Sequence, residues 1–90
     1  MFKDITLYFK VIMEIEYKGM SYTIEKDTYE SDDIFFKRAW FVVKQTPKTK
    51  MELETAIYYS KLWSNLKFLG CTYSNPIESK LIKLEREIFN

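Results

Sequence analysis

The sequence predicts a mainly α fold: a small bundle of about three to four helices, preceded by an N-terminal β-hairpin or an extended arm. Apolar residues recur at helical spacing over 34–44, 50–69 and 76–88. Each of these stretches opens on a residue suited to capping, and the second closes on Gly70. Only residues 11–25 carry the alternation of a strand.

The first thirty residues support two readings. Met13, Ile15 and Tyr17 alternate with Glu14 and Glu16, and Met20, Tyr22 and Ile24 fall on one face after Lys18-Gly19. That pattern fits a hairpin with its turn at Lys18-Gly19. Asp4 to Ile12 instead fits the start of a helix, with Ile5, Tyr8, Phe9 and Ile12 on one side. A lone hairpin is marginal in water, so it would have to pack on the helices.

The first helix is expected from Asp32 to Lys44. Ser31 caps it, and Asp32 and Asp33 suit its positive end. Phe35, Arg38 and Val42 share a side, flanked by Ile34 and Phe41. Trp40 falls off that stripe, as a second contact surface or a lid over the core. Pro47 prevents simple continuation, so Gln45 to Lys50 is expected as a solvated connector.

The second helix is expected from Lys50 or Met51 to Leu69. Thr49 and Glu52 stand at capping-box spacing. Tyr59, Leu62, Leu66 and Leu69 form a stripe, widened by Ala56, Ile57 and Trp63, while Tyr58 and Phe68 point elsewhere. Its length of about 28 Å crosses a domain of this size. Gly70 is the left-handed stop. The third helix opens on Asn75 as cap, with Pro76 first and Glu78 third in the helix. Ile77, Leu81, Leu84 and Ile88 then make the stripe of a packing helix.

Ninety residues make one domain, which buries roughly 60–65% of its unfolded surface. The charge balance is 14 basic against 13 acidic residues. A domain living on phosphate contacts carries a marked basic excess, so this balance disfavours direct nucleic-acid binding. Cys71 is the only cysteine, which leaves no intrachain disulfide and suits a reducing compartment. The longest apolar run, Ala39 to Val43, is far short of a membrane span, and no secretory signal is visible. An intracellular, soluble domain is expected, with no membrane partner.

The available chemistry is sparse. The chain has no histidine, which removes Ser-His-Asp and Cys-His pairs and, with one cysteine, a tetrahedral zinc site. Gly19 and Gly70 are the only glycines, so no phosphate-cradling loop can form. No enzyme activity, cofactor, metal or small-molecule substrate is expected. Cys71 follows a helix C-terminus, the wrong end for an activated thiolate, and reads as a small buried residue at the turn. Aromatics, by contrast, are abundant at 18%. A three-helix core leaves some of them exposed, either as an interface or as half-wet tyrosines.

The stretch Trp63-Ser64-Asn65-Leu66-Lys67-Phe68-Leu69-Gly70-Cys71-Thr72-Tyr73 resembles the helix and turn of the XTBD family. The family pattern is a helix with an aromatic and Asn, then Phe-Leu-Gly-Cys, one variable residue and Tyr, usually followed by Pro. Ser74 stands where that Pro usually falls, and Pro76 follows. Upstream, the family's acidic residue, Trp, Arg-Arg and Phe-Leu correspond to Asp32, Phe35, Arg38-Ala39 and Phe41-Val42. Phe replaces Trp there, and Ala39 replaces the second Arg. The resemblance covers about residues 29–88. It divides the chain into an arm or hairpin over 1–28 and a helical domain over 29–90.

The resemblance implies a non-catalytic adaptor that binds and stabilises the nuclear 5′→3′ exoribonuclease of RNA turnover and transcription termination. It also implies a nuclear location. On this reading Tyr73, Phe68, Trp40, Tyr58 and Arg38 are the partner-binding residues. Trp63, Asn65, Leu66, Gly70 and Cys71 are structural, with Asn65 bonding across to the loop. Tyr73 has a second reading as local packing against the end of the second helix. Two other functions stay open from the residues: an RNA-binding module that stacks bases on Tyr or Phe, and a self-associating domain that buries its aromatic surplus.

Overall fold

The computed structural model describes residues 11–89. They form a hairpin, β1 (Ile12–Tyr17) and β2 (Met20–Glu25), followed by helices α1 (Asp32–Val43), α2 (Lys50–Phe68) and α3 (Asn75–Phe89). The fold is mainly α with a two-stranded antiparallel sheet. Among the described residues there are three helices, the lower end of the expected number. The alternative helix over 4–12 lies outside the described residues except at its end, where Ile12 begins β1.

The hairpin has the alternation read from its residues. Met13 pairs with Ile24, Ile15 with Tyr22, and Tyr17 with Met20, so their side chains share one face. Lys18 and Gly19 both have positive φ, 51° and 81°, the backbone of a type I′ turn. The inner face is not left wet. Ile15, Tyr22 and Ile24 are buried with Phe35, Ala39, Val42 and Val43 of α1 and Ala56 of α2. Trp40 meets Tyr17 edge-on at 6.1 Å and closes this cluster as a lid.

A second cluster joins Phe41 of α1, Trp63 of α2 and Leu81 of α3. The α3 stripe of Ile77, Leu81, Leu84 and Ile88 packs here, together with Tyr59, Leu62 and Leu66. Both α1 and α2 run through the two clusters. On α2 the buried face is Ala56, Ser60, Trp63 and Ser64. The small residues recur every four positions, so α1 can approach closely. This rotates α2 from the expected stripe. Leu66 is half-buried, and Leu69, expected in the core, is 70% exposed at the helix end.

Helix ends follow local chemistry, with one shift. The Ser31 hydroxyl accepts the Ile34 N–H at 3.2 Å, and the Thr49 hydroxyl accepts the Glu52 N–H at 3.1 Å. Glu52 itself reaches back to the Lys48 N–H at 2.8 Å. At α3 the first bonds fall on the Ser74 carbonyl, from Ile77 and Glu78 at 3.0 Å each. The cap position is therefore Ser74, one residue before the expected Asn75. The α1–α2 connector is also less wet than its lysines suggest. Pro47 is buried, and its carbonyl accepts the Tyr22 hydroxyl at 3.0 Å, which ties the hairpin to the loop. Thr46 adopts φ 49° to bring Pro47 there, a strained setting for a β-branched residue.

Candidate docking surface

The residues expected to meet a partner do not form one patch. Phe68 and Tyr73 flank the α2–α3 turn and are half-buried against the Phe41–Trp63–Leu81 cluster. Phe68 lies edge-on to Trp63 at 5.8 Å, with the Lys37 ammonium 5.5 Å from its ring. The Tyr73 N–H donates to the Glu78 carboxylate at 3.0 Å, which ties the approach of the chain to α3. The Tyr73 ring thus keeps one side in the core and one side open, so packing and docking are compatible for it.

The turn between them is set by backbone. Gly70 has φ 72°, which returns the Cys71 N–H to the Asn65 carbonyl at 3.2 Å. That carbonyl also accepts the Leu69 N–H at 3.1 Å. The bond expected from Asn65 to the loop is thus made by its main chain. Cys71, expected as a buried hydrophobe, is exposed because the reversal at Gly70 lifts it off the core. Trp63 has the core place expected of it, stacked on Phe41 at 4.6 Å and on Phe89 at 5.7 Å. Its indole N–H is buried and finds no hydrogen-bond partner among the described residues.

Arg38 is a correction. It is 1% exposed, so its guanidinium cannot reach a partner. Its Nε and Nη2 donate to the Glu30 carboxylate at 2.9 Å, and Nη2 also donates to the Glu25 carbonyl at 2.6 Å. Nη1 donates to Ser60 on α2 at 3.2 Å. The Glu30 side chain is only 7% exposed. A bidentate pair therefore locks the end of β2, the 26–31 segment, α1 and α2 together. Ala39, in the place of the family's second Arg, is wholly buried under the hairpin, where a guanidinium would have no room.

Trp40 is half-buried and lies beside Phe36, ring centres 6.4 Å apart. Tyr58 is 57% exposed and sits edge-on to Tyr59 at 5.5 Å. By helical spacing Tyr58 shares a face of α2 with Lys61, Asn65 and Leu69, away from Trp40. There a groove of about 250 Å³ runs past Tyr29, Ile34 and Leu69. Sequence reasoning missed three exposed rings: Tyr29 at 99%, Phe36 at 52% and Phe89 at 42%. Off-stripe position could have pointed to Phe36. For Phe89 the helical spacing from Leu81 pointed inward, and its ring does touch Phe41 at 6.3 Å.

Among the described residues no cluster of His, Cys, Asp and Glu could hold a metal, and no helix is long and apolar enough to cross a membrane. Exposed or half-buried rings sit at the rim of a packed helix pair. The family model described as XRN-Two Binding Domain, XTBD, matches residues 12–90, nearly the whole chain, and the chain belongs to that family. XTBD is a binding domain for an XRN exoribonuclease and not a catalytic family. The match takes in the hairpin, so it reaches further toward the N-terminus than the motif resemblance did. Neither the curated proteins nor the solved structures provide a match.

Proposed function

We propose that this chain is a non-catalytic adaptor domain that docks on the nuclear 5′→3′ exoribonuclease and stabilises it. The family match over residues 12–90 carries this reading. The exposed or half-open rings support it, because rigid aromatic side chains are the usual anchors of an interface. The contact surface in this reading is the turn rim of Phe68 and Tyr73 together with Trp40, while Tyr58, which faces away from Trp40 on α2, makes a separate contact. Arg38 serves it indirectly, by fixing α1 against α2. RNA turnover and transcription termination are the processes such an adaptor would serve, in the nucleus.

The test is capture of the exoribonuclease from nuclear extract by wild type and Tyr73→Ala side by side, followed by titration with the purified enzyme. Tyr73→Ala is expected to weaken binding by about tenfold or more, the loss typical of a buried aromatic anchor. A melting curve should show the variant still folded. The bound enzyme should also melt higher than the free enzyme, as any ligand specific for a native state requires. Wild-type affinity in both Tyr73→Ala and a Phe68→Ala, Trp40→Ala pair would remove this surface from consideration.

A further inference from the structure

The last turn of α3 and the outer side of α1 enclose a cup of about 310 Å³, lined by Phe36, Lys37, Trp40, Lys44 and Phe89. Its rings come from two helices far apart in sequence, and two of them, Phe36 and Phe89, are exposed. Lys44 bridges the cup, its ammonium 5.8 Å from the Trp40 ring and 5.7 Å from the Phe89 ring. Its neighbour Lys37 is paired with Asp33 at 3.2 Å. No carboxylate among the described residues pairs with Lys44. The site is therefore an apolar floor beside a cation that has no paired carboxylate among the described residues.

We propose that this cup receives an acidic, apolar segment of the exoribonuclease, one aliphatic or aromatic side chain seated on the rings and an adjacent Asp or Glu paired with Lys44. The identity of the partner rests on the function proposed above; the chemistry of the segment rests on the cup. A purely apolar guest would cover Lys44 and leave a desolvated charge unpaired, which is costly. A basic guest would meet Lys44 and Lys37. A nucleic-acid strand needs a track of free cations. Here Lys37 and Lys67 are already paired, with Asp33 and Glu85, and the whole chain carries a formal charge of only +1. Charge complementarity thus selects an acidic peptide.

The experiment is titration of the purified exoribonuclease with wild type, Lys44→Glu, Lys44→Arg and Phe36→Ala at low and high salt, with melting curves for each. Phe36 and Lys44 lie outside both core clusters, so the variants should stay folded. Lys44→Glu should weaken binding by about tenfold at low salt, mainly through slower association, and Lys44→Arg should bind like wild type. The deficit of Lys44→Glu should shrink in about 0.5 M NaCl, where the Debye length is only a few ångströms. Phe36→Ala should weaken binding at both salt concentrations, because its contribution is apolar. Binding of Lys44→Glu and Phe36→Ala within twofold of wild type would overturn the cup while leaving the adaptor function standing. No binding by wild type would overturn both. A labelled oligouridylate that binds wild type and is lost in Lys44→Glu would reassign the cup to RNA.

Discussion

Arg38 is the residue on which the most elements converge. Its donors reach the Glu30 carboxylate, the Glu25 carbonyl and the Ser60 hydroxyl, so one side chain joins β2, the following segment, α1 and α2. Forming a buried ion pair is not strongly stabilising in itself, since both charges must first leave water. Breaking it from one side is a different matter. Arg38→Met should cost about 3–5 kcal/mol in urea unfolding, because Glu30 is left buried without a counter-charge. Adding Glu30→Met should recover most of that loss. If the double variant is no more stable than the single one, the cost lies in packing and not in the orphaned carboxylate. Ser31 and Thr49 could be read as caps from their neighbours alone, because a cap bonds within three residues. The Arg38–Glu30 pair could not, because it depends on where the 26–31 segment folds back over α1.

The hairpin is the element whose place was hardest to foresee. Its strands and turn follow from alternation and from Lys18-Gly19, both local features. What holds it is not local. The Tyr22 hydroxyl donates to the Pro47 carbonyl across 25 residues of chain. This bond explains why Pro47 is buried and why the connector is not simply solvated. Tyr22→Phe should lower stability by about 1 kcal/mol, because a buried carbonyl loses its donor while the ring still packs. Equal stability in thermal melts would mean that water replaces the hydroxyl. On α2, the buried seam of Ala56, Ser60 and Ser64 could have been read from its four-residue spacing. The more apolar stripe beside it turns toward α3.

At the scale of the whole molecule, two clusters share two helices. Phe35, Ala39, Val42 and Val43 of α1 face the hairpin cluster, while Phe41 faces the α3 cluster. Trp40 belongs to the first and Trp63 to the second, and the chain has no other tryptophan. Single-tryptophan variants, Trp63→Phe and Trp40→Phe, therefore report on each cluster separately. Each variant should give one urea midpoint by fluorescence that coincides with its own midpoint by far-UV circular dichroism, the sign of a single cooperative unit. A fluorescence transition of Trp40 that precedes the loss of helix would show the hairpin leaving the bundle first. The same layout spreads the residues proposed for docking. Phe68 and Trp40 lie on either side of Lys37, whereas Tyr58 faces away on α2.

By itself the sequence determined what nearest neighbours decide: the turn at Lys18-Gly19, the caps at Ser31 and Thr49, the stop at Gly70, and the motif from Trp63 to Tyr73 that places the chain in its family. Those features depend on backbone conformation and hydrogen bonds within a few residues. The tertiary structure alone decided which side chains stay open to a partner. Arg38 was drawn inward by Glu30, Leu69 and Cys71 were turned outward by the reversal at Gly70, and Phe89 was carried over Trp63 by α3. Burial depends on how elements distant in the sequence rotate and pack against one another, and no local pattern encodes that rotation.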